Sequence, residues 1–107
     1  MSGNHSRDKG HNFERLIVKD FRDLGFEDAN RNLTETQIYE QGVDLVHTGI
    51  FKVQCKKYKK YVNPNKIEEI KDKTGFPLLI TAGDRKEPVA CMYWKDLIKI
   101  ISVYLDD

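Results

Sequence analysis

The feature that most limits what this chain can fold into is a tight turn, Thr48-Gly49, set between two short stretches in which apolar and polar residues alternate. Residues 43–47 and 50–58 therefore read as two strands of a hairpin, since successive strand side chains face opposite ways and glycine closes the turn. With the turn centred on Gly49, paired positions sum to 98, which sets Asp44 opposite Gln54 with both side chains on one face. Lys56 shares that face, and Gly42 across from it carries no side chain to block approach. Val53 and Cys55 then point the other way, into a core.

The flanking segments read as alternating helices and strands. Phe13, Leu16, Ile17, Phe21 and Leu24 recur at helical spacing and Gly25 follows as a stop, which predicts a helix over 11–24. Glu14 lies at the edge of that apolar stripe, where a carboxylate can look inward. Residues 1–10 are polar and aperiodic and read as a mobile arm, and 26–39 as a short strand and a flexible connection. Asn63-Pro64 supplies a cap and a first-turn proline for a short helix through Ile67 and Ile70, ended by Gly75 and Pro77. A buried strand over 77–82, a turn over 83–86 and a strand over 88–93 follow. The last helix, 95–105, has Leu97, Ile98, Ile101 and Leu105 on one stripe, with Tyr93-Trp94 expected to anchor it by packing.

At 107 residues there is room for one domain, 11–107 after the arm, with an α/β architecture in which a central mixed sheet is flanked by helices. No apolar run approaches the roughly 20 residues that cross a bilayer, and the first residues have no signal-peptide character, so the expectation is a cytoplasmic, intracellular protein without membrane contact. Cys55 and Cys91 match no close-spaced zinc pattern and read as buried reduced thiols. The net charge is only +1, yet residues 1–50 carry six basic and nine acidic side chains while 51–73 carry eight basic and three acidic. Positive charge is thus gathered beside one segment, as a phosphate-contacting surface requires.

An acid, an amide and an amine on one strand face, beside an inward-edge glutamate, are a poor composition for a merely structural sheet. Two carboxylates and an amide oxygen suit a hard divalent cation such as Mg²⁺ or Mn²⁺, which takes oxygen ligands and keeps several waters. Such an ion polarises a phosphate and acidifies a bound water, and Lys56 is placed to orient that water or to stabilise developing charge. Taken singly, Asp44 is an ordinary surface acid, Glu14 a solvated helix residue, and the lysines a charged edge; their combination carries the reading.

These residues resemble the PD-(D/E)xK nuclease superfamily. Gly42-Val43-Asp44 stands for the motif's acid, Val53-Gln54-Cys55-Lys56 for its (D/E)xK portion, and Asn12-Phe13-Glu14 for the helix glutamate that many members add. The resemblance implies a restriction-endonuclease-like fold, catalytic residues Glu14, Asp44, Gln54 and Lys56, and a metal held by Glu14, Asp44, Gln54 and the Cys55 backbone carbonyl. Val43 replaces the motif's proline and Gln54 its carboxylate, which removes one negative charge from the site. Within the superfamily the chain looks like a Holliday junction resolvase, which implies a small homodimer, phage or mobile-element encoded, cutting four-way junctions symmetrically. The alternatives are a restriction-type or nicking endonuclease and an inactive DNA-binding module of the same fold.

Lys57-Tyr58-Lys59-Lys60-Tyr61 follows directly on the motif strand, and lysines with interleaved tyrosines read the backbone of branched or duplex DNA without reading sequence. Arg7 and Lys9 on the arm are candidate second contacts.

Overall fold

The computed structural model describes residues 2–33 and 41–106, with side chains from Asp8 onward. Helix α1 spans Ser2–Asp23, strand β1 Asn30–Arg31, β2 Leu45–Val46, β3 Phe51–Lys57, β4 Phe76–Ala82, β5 Val89–Cys91, and helix α2 Trp94–Asp106; a 3-10 helix, Pro64–Glu69, stands between β3 and β4. Strands β3 and β4 run parallel with Phe51 opposite Phe76 and Lys57 opposite Ala82, and β5 adds antiparallel to β4. The mixed sheet with its helices has the restriction-endonuclease-like α/β architecture expected. None of the described helices is long and apolar enough to cross a membrane.

Two apolar layers cover the sheet. On one face α1 buries Phe13, Ile17, Val18 and Phe21 against Val53, Cys55, Ile80, Ala82 and Leu45. On the other, Val43, Ile67, Ile70 and Leu79 close a smaller core that Val62, Cys91 and Tyr93 border. Val53 and Leu79 are wholly buried, each under one of the two apolar layers. The alternation of β3 therefore sends Val53 and Cys55 to the α1 face and Gln54 to the 3-10 face.

Several expectations are corrected. The stretch 1–10, read as an arm, is helical from Ser2, because the packed residues from Phe13 onward nucleate α1 and extending an existing helix is cheap. Leu16 and Leu24, assigned to the buried stripe, are exposed. The hairpin is not a continuous ladder: β2 pairs with β1, Asn30 opposite Val46, whereas β3 takes β4 as its partner. The Asp44 N–H donates to the Val53 carbonyl at 2.8 Å, which aligns Asp44 with Val53 and not with Gln54. The turn itself is as expected, with Gly49 at φ 65°, His47 at φ 61° and the Thr48 hydroxyl donating to the Phe51 carbonyl. Part of the connection expected over 26–39, residues 34–40, lies outside the described residues.

The Asn63 side chain caps the 3-10 helix by accepting from Asn65 N–H, as its sequence signature predicts, but this helix stops at Glu69, well before Gly75. At α2, Asp96 is buried and Leu97 and Ile100 are half-buried, while Trp94, Ile98, Ile101 and Leu105 form an outward stripe; Trp94, expected to pack, is 67% exposed. Cys55 is buried and Cys91 half-buried, both as free thiols.

Gly42 was expected to clear the approach to Lys56. Instead its φ of 76° and the absence of a side chain let residues 41–42 press on the 3-10 helix: a Cβ there would lie 2.1 Å from the Glu69 carbonyl oxygen. Gly10 in α1 meets nothing within 4 Å. Urea denaturation should accordingly show Gly42→Ala destabilising by more than about 2 kcal/mol, and Gly10→Ala stabilising by about 0.5–1 kcal/mol.

Candidate active site

Residues 43–44 are fixed before any chemistry is considered. Asn32 donates from its backbone to the Asp44 carbonyl at 2.7 Å and from its side chain to the Val43 carbonyl at 2.8 Å. On the opposite side Asp44 N–H reaches Val53, and the Asp44 Oδ2 accepts Cys55 N–H at 2.8 Å. A carboxylate thus completes the outer edge of β3 where another strand's carbonyl would ordinarily stand.

Gln54 is 4% exposed and its Nε2 donates to Glu69 Oε1 at 3.2 Å. Its Oε1 is buried with no hydrogen-bond partner among the described residues. Lys56 Nζ lies 3.5 Å from the same Glu69 oxygen, while Lys66 Nζ holds the other at 3.2 Å. Glu14, which follows Phe13 on α1, receives Arg31 Nε at 2.9 Å, both side chains being only 18% exposed.

The charges feel one another. Burial pushes the Asp44 carboxyl up to about 6; the Cys55 N–H and Lys56 oppose the rise, and the negative charges of Glu14 and Glu69 add to it. Burial tends to raise the Glu69 carboxyl too, but the hydrogen bond from Lys66, the charges of Lys56 and Lys66, and the Gln54 amide hold it below the usual range. Burial, then the charges of Asp44 and Glu14, push the Cys55 thiol well above its ordinary range. Asp44 thus feels the charges of Glu14, Lys56 and Glu69, and Gln54 joins this group through Glu69.

A family model described as restriction endonuclease matches residues 6–75, more than half of the chain. The chain belongs to the restriction-endonuclease family. Its type is PD-(D/E)xK. No curated protein and no solved structure matches it.

In this restriction-endonuclease domain three residues escaped the sequence reading. Glu69 meets both Gln54 and Lys56, Arg31 engages Glu14, and Asn32 pins the peptide of Asp44. Arg31 and Asn32 lie in a stretch with no periodic pattern, and only the charge pattern Lys66…Glu69 at three-residue spacing hinted that Glu69 is held in place.

The donors present fit a hard cation. Among the described residues no group of three His, Cys, Asp or Glu side chains comes together as a metal site. An unpaired buried amide oxygen costs about 1–3 kcal/mol, and the Gln54 oxygen is an acceptor of the kind such a cation takes.

The proposed nucleic-acid contacts also converge. Lys9, Lys57, Tyr58, Lys59, Lys60, Tyr61 and Val62 line one open groove, which places Lys9 of α1 beside the lysine-tyrosine segment. The backbone beneath is anchored: Tyr58 N–H to the Ala82 carbonyl, Asp84 N–H to the Lys59 carbonyl, and Val62 N–H to the Thr81 hydroxyl. Lys9 is paired with Asp84, and the Tyr61 hydroxyl donates to the Glu87 carbonyl, so these two are partly committed to the fold. The side chain of Arg7 lies outside the described residues.

Because the folded pKa of Asp44 lies above that of a free carboxyl, its contribution to stability is full below about pH 4 and is lost as pH rises through about 6. Asp44→Asn keeps the acceptor for Cys55 N–H without the charge. In thermal melts of metal-free protein at pH 8 it should exceed wild type by up to about 3 kcal/mol, and the two should converge near pH 4.

Proposed function

We propose that the protein is a metal-dependent endodeoxyribonuclease that hydrolyses phosphodiester bonds of branched DNA, four-way junctions above all. The observation that carries the reading is the juxtaposition of a buried acid titrating near neutrality, an orphaned amide oxygen and a lysine ammonium, beside a lysine-tyrosine groove. Asp44, Glu14, Gln54 and the carbonyl of Cys55 are the residues that would hold the cation. When bound, Mg²⁺ or Mn²⁺ supplies Lewis-acid polarisation of the phosphate and a water acidic enough to act as nucleophile near neutral pH.

The chain's own groups do the rest. Lys56 would orient that water or offset charge growing on the phosphate. Arg31 steadies the Glu14 carboxylate, and the four hydrogen bonds about residues 43–44 hold the acid in place. Lys57, Lys59 and Lys60 supply phosphate contacts without base readout, and Tyr58 offers a face for sugar or base packing.

Preference for junctions rests on two features. The groove reads backbone shape, and the outward stripe Trp94, Ile98, Ile101 and Leu105 on α2 offers a self-complementary surface through which two copies would set two sites on opposed strands. The family match favours a second reading, a restriction-type or nicking enzyme acting on linear duplex.

Cleavage with Mg²⁺ or Mn²⁺ should give paired nicks on a four-way junction, with linear duplex of the same arms cut poorly, and Asp44→Ala or Lys56→Ala should abolish them. Equal cutting of both substrates would support the duplex reading; silence on both at every metal concentration would leave a DNA-binding module. Lys59→Ala and Lys60→Ala should each lower the slope of log affinity against log salt by about 1. In sedimentation the wild type should run as a dimer, and Ile98→Glu with Ile101→Glu as a monomer.

A further inference from the structure

An amide in the place of a motif carboxylate raises a problem of direction. The two oxygens of a carboxylate are equivalent, whereas an amide presents an acceptor on one side and a two-proton donor on the other, and only the acceptor can meet a cation. Something must determine which way Gln54 stands.

We infer that Glu69 is the positioning residue that orients the Gln54 amide, holding its NH₂ on the 3-10 side so that Oε1 faces the site. The inference rests on the reading of Gln54 as a metal ligand. A carboxylate only accepts hydrogen bonds, so the 3.2 Å contact from Gln54 Nε2 to Glu69 Oε1 is compatible with one amide orientation alone. That orientation satisfies the NH₂ and leaves Oε1 buried and unpartnered among the described residues, an acceptor still to be met.

Glu69 is itself fixed. Lys66 holds its Oε2 from the same 3-10 helix, one 3-10 turn away. Its backbone carbonyl is the atom that Gly42 approaches too closely to admit a Cβ, so the residue is pressed against the loop that carries Asp44. The Oε1 that receives the amide also lies 3.5 Å from Lys56 Nζ, so one atom sets the spacing of both polar residues of the motif strand. Glu69 contacts neither cation nor substrate in this scheme; it acts through Gln54 and Lys56.

The test is Mn²⁺ binding by titration calorimetry in the absence of DNA, with Glu69→Gln made in wild type and in Gln54→Glu. A glutamine at 69 can donate to Gln54 Oε1 and allow the amide to turn, so affinity should fall about 10-fold or more in the Gln54 background, the usual scale for an outer-sphere partner. With glutamate at 54 the ligand oxygens are equivalent and Glu69 only repels it, so the same substitution should leave affinity unchanged or raise it. Equal losses in the two backgrounds, or no loss with Gln54, overturn the inference. If Glu69→Gln fails to fold by circular dichroism, Glu69→Asp, which draws the acceptor back by one methylene, takes its place with the same background dependence expected. Wild-type binding that Asp44→Asn abolishes but Glu69 variants do not alter would defeat this inference alone; wild type that binds no Mn²⁺ would defeat the ligand reading with it.

Discussion

The 2.8 Å hydrogen bond from Cys55 N–H to the Asp44 carboxylate is the contact on which the rest of the site depends. Strand β3 has β4 on one side only, and its outer edge must be satisfied by something other than a full strand. Residues 43–44 supply that partner with a main-chain N–H to Val53 and a side-chain oxygen to Cys55. The acid is thereby bolted to the middle of the motif strand, and the same burial that makes the bond strong makes the charge costly. A functional carboxylate and a sheet edge are one device here.

That device explains why the fold was readable from sequence and the register was not. The turn at Thr48-Gly49, the apolar spacing from Phe13 to Phe21, the cap at Asn63 and the apolar run before Ala82 each follow from local rules, and each corresponds to an element found there. A regular hairpin ladder would set Asp44 against Gln54. The side chain's capture of Cys55 N–H replaces one rung of that ladder and moves the pairing to Val53, a competition between side chain and backbone that alternation patterns do not encode. The same limit hid Asn32, which serves the peptide of Asp44 from a stretch without periodicity.

Of the candidate residues, Asp44 feels the charges of Glu14 and Lys56, and Gln54 and Lys56 share one oxygen of Glu69, but the residues that support them carried little signal in the sequence. Glu69 sits 15 residues from Gln54 on a 3-10 helix, and its approach depends on how closely Gly42 lets two loops pass. At the far end of the chain helical periodicity gathered Ile98, Ile101 and Leu105 on one stripe, and that stripe faces outward. A pattern shows which residues want burial; it does not say whether the partner surface lies in the same molecule.

The anchoring of the lysine-tyrosine segment has a kinetic consequence. Its backbone is tied to β4 through Ala82 and Thr81 and to the following turn through Asp84, and a Cβ at Gly83 would come within 3.1 Å of the Lys59 carbonyl, so the groove floor is built into the fold. Only the lysine side chains remain to be immobilised when a polyanion arrives, which keeps the ordering cost of association small. On the proposed DNA-binding reading, encounter at this groove would need no rearrangement of the described backbone beneath it, and its rate would be set by long-range attraction and diffusion.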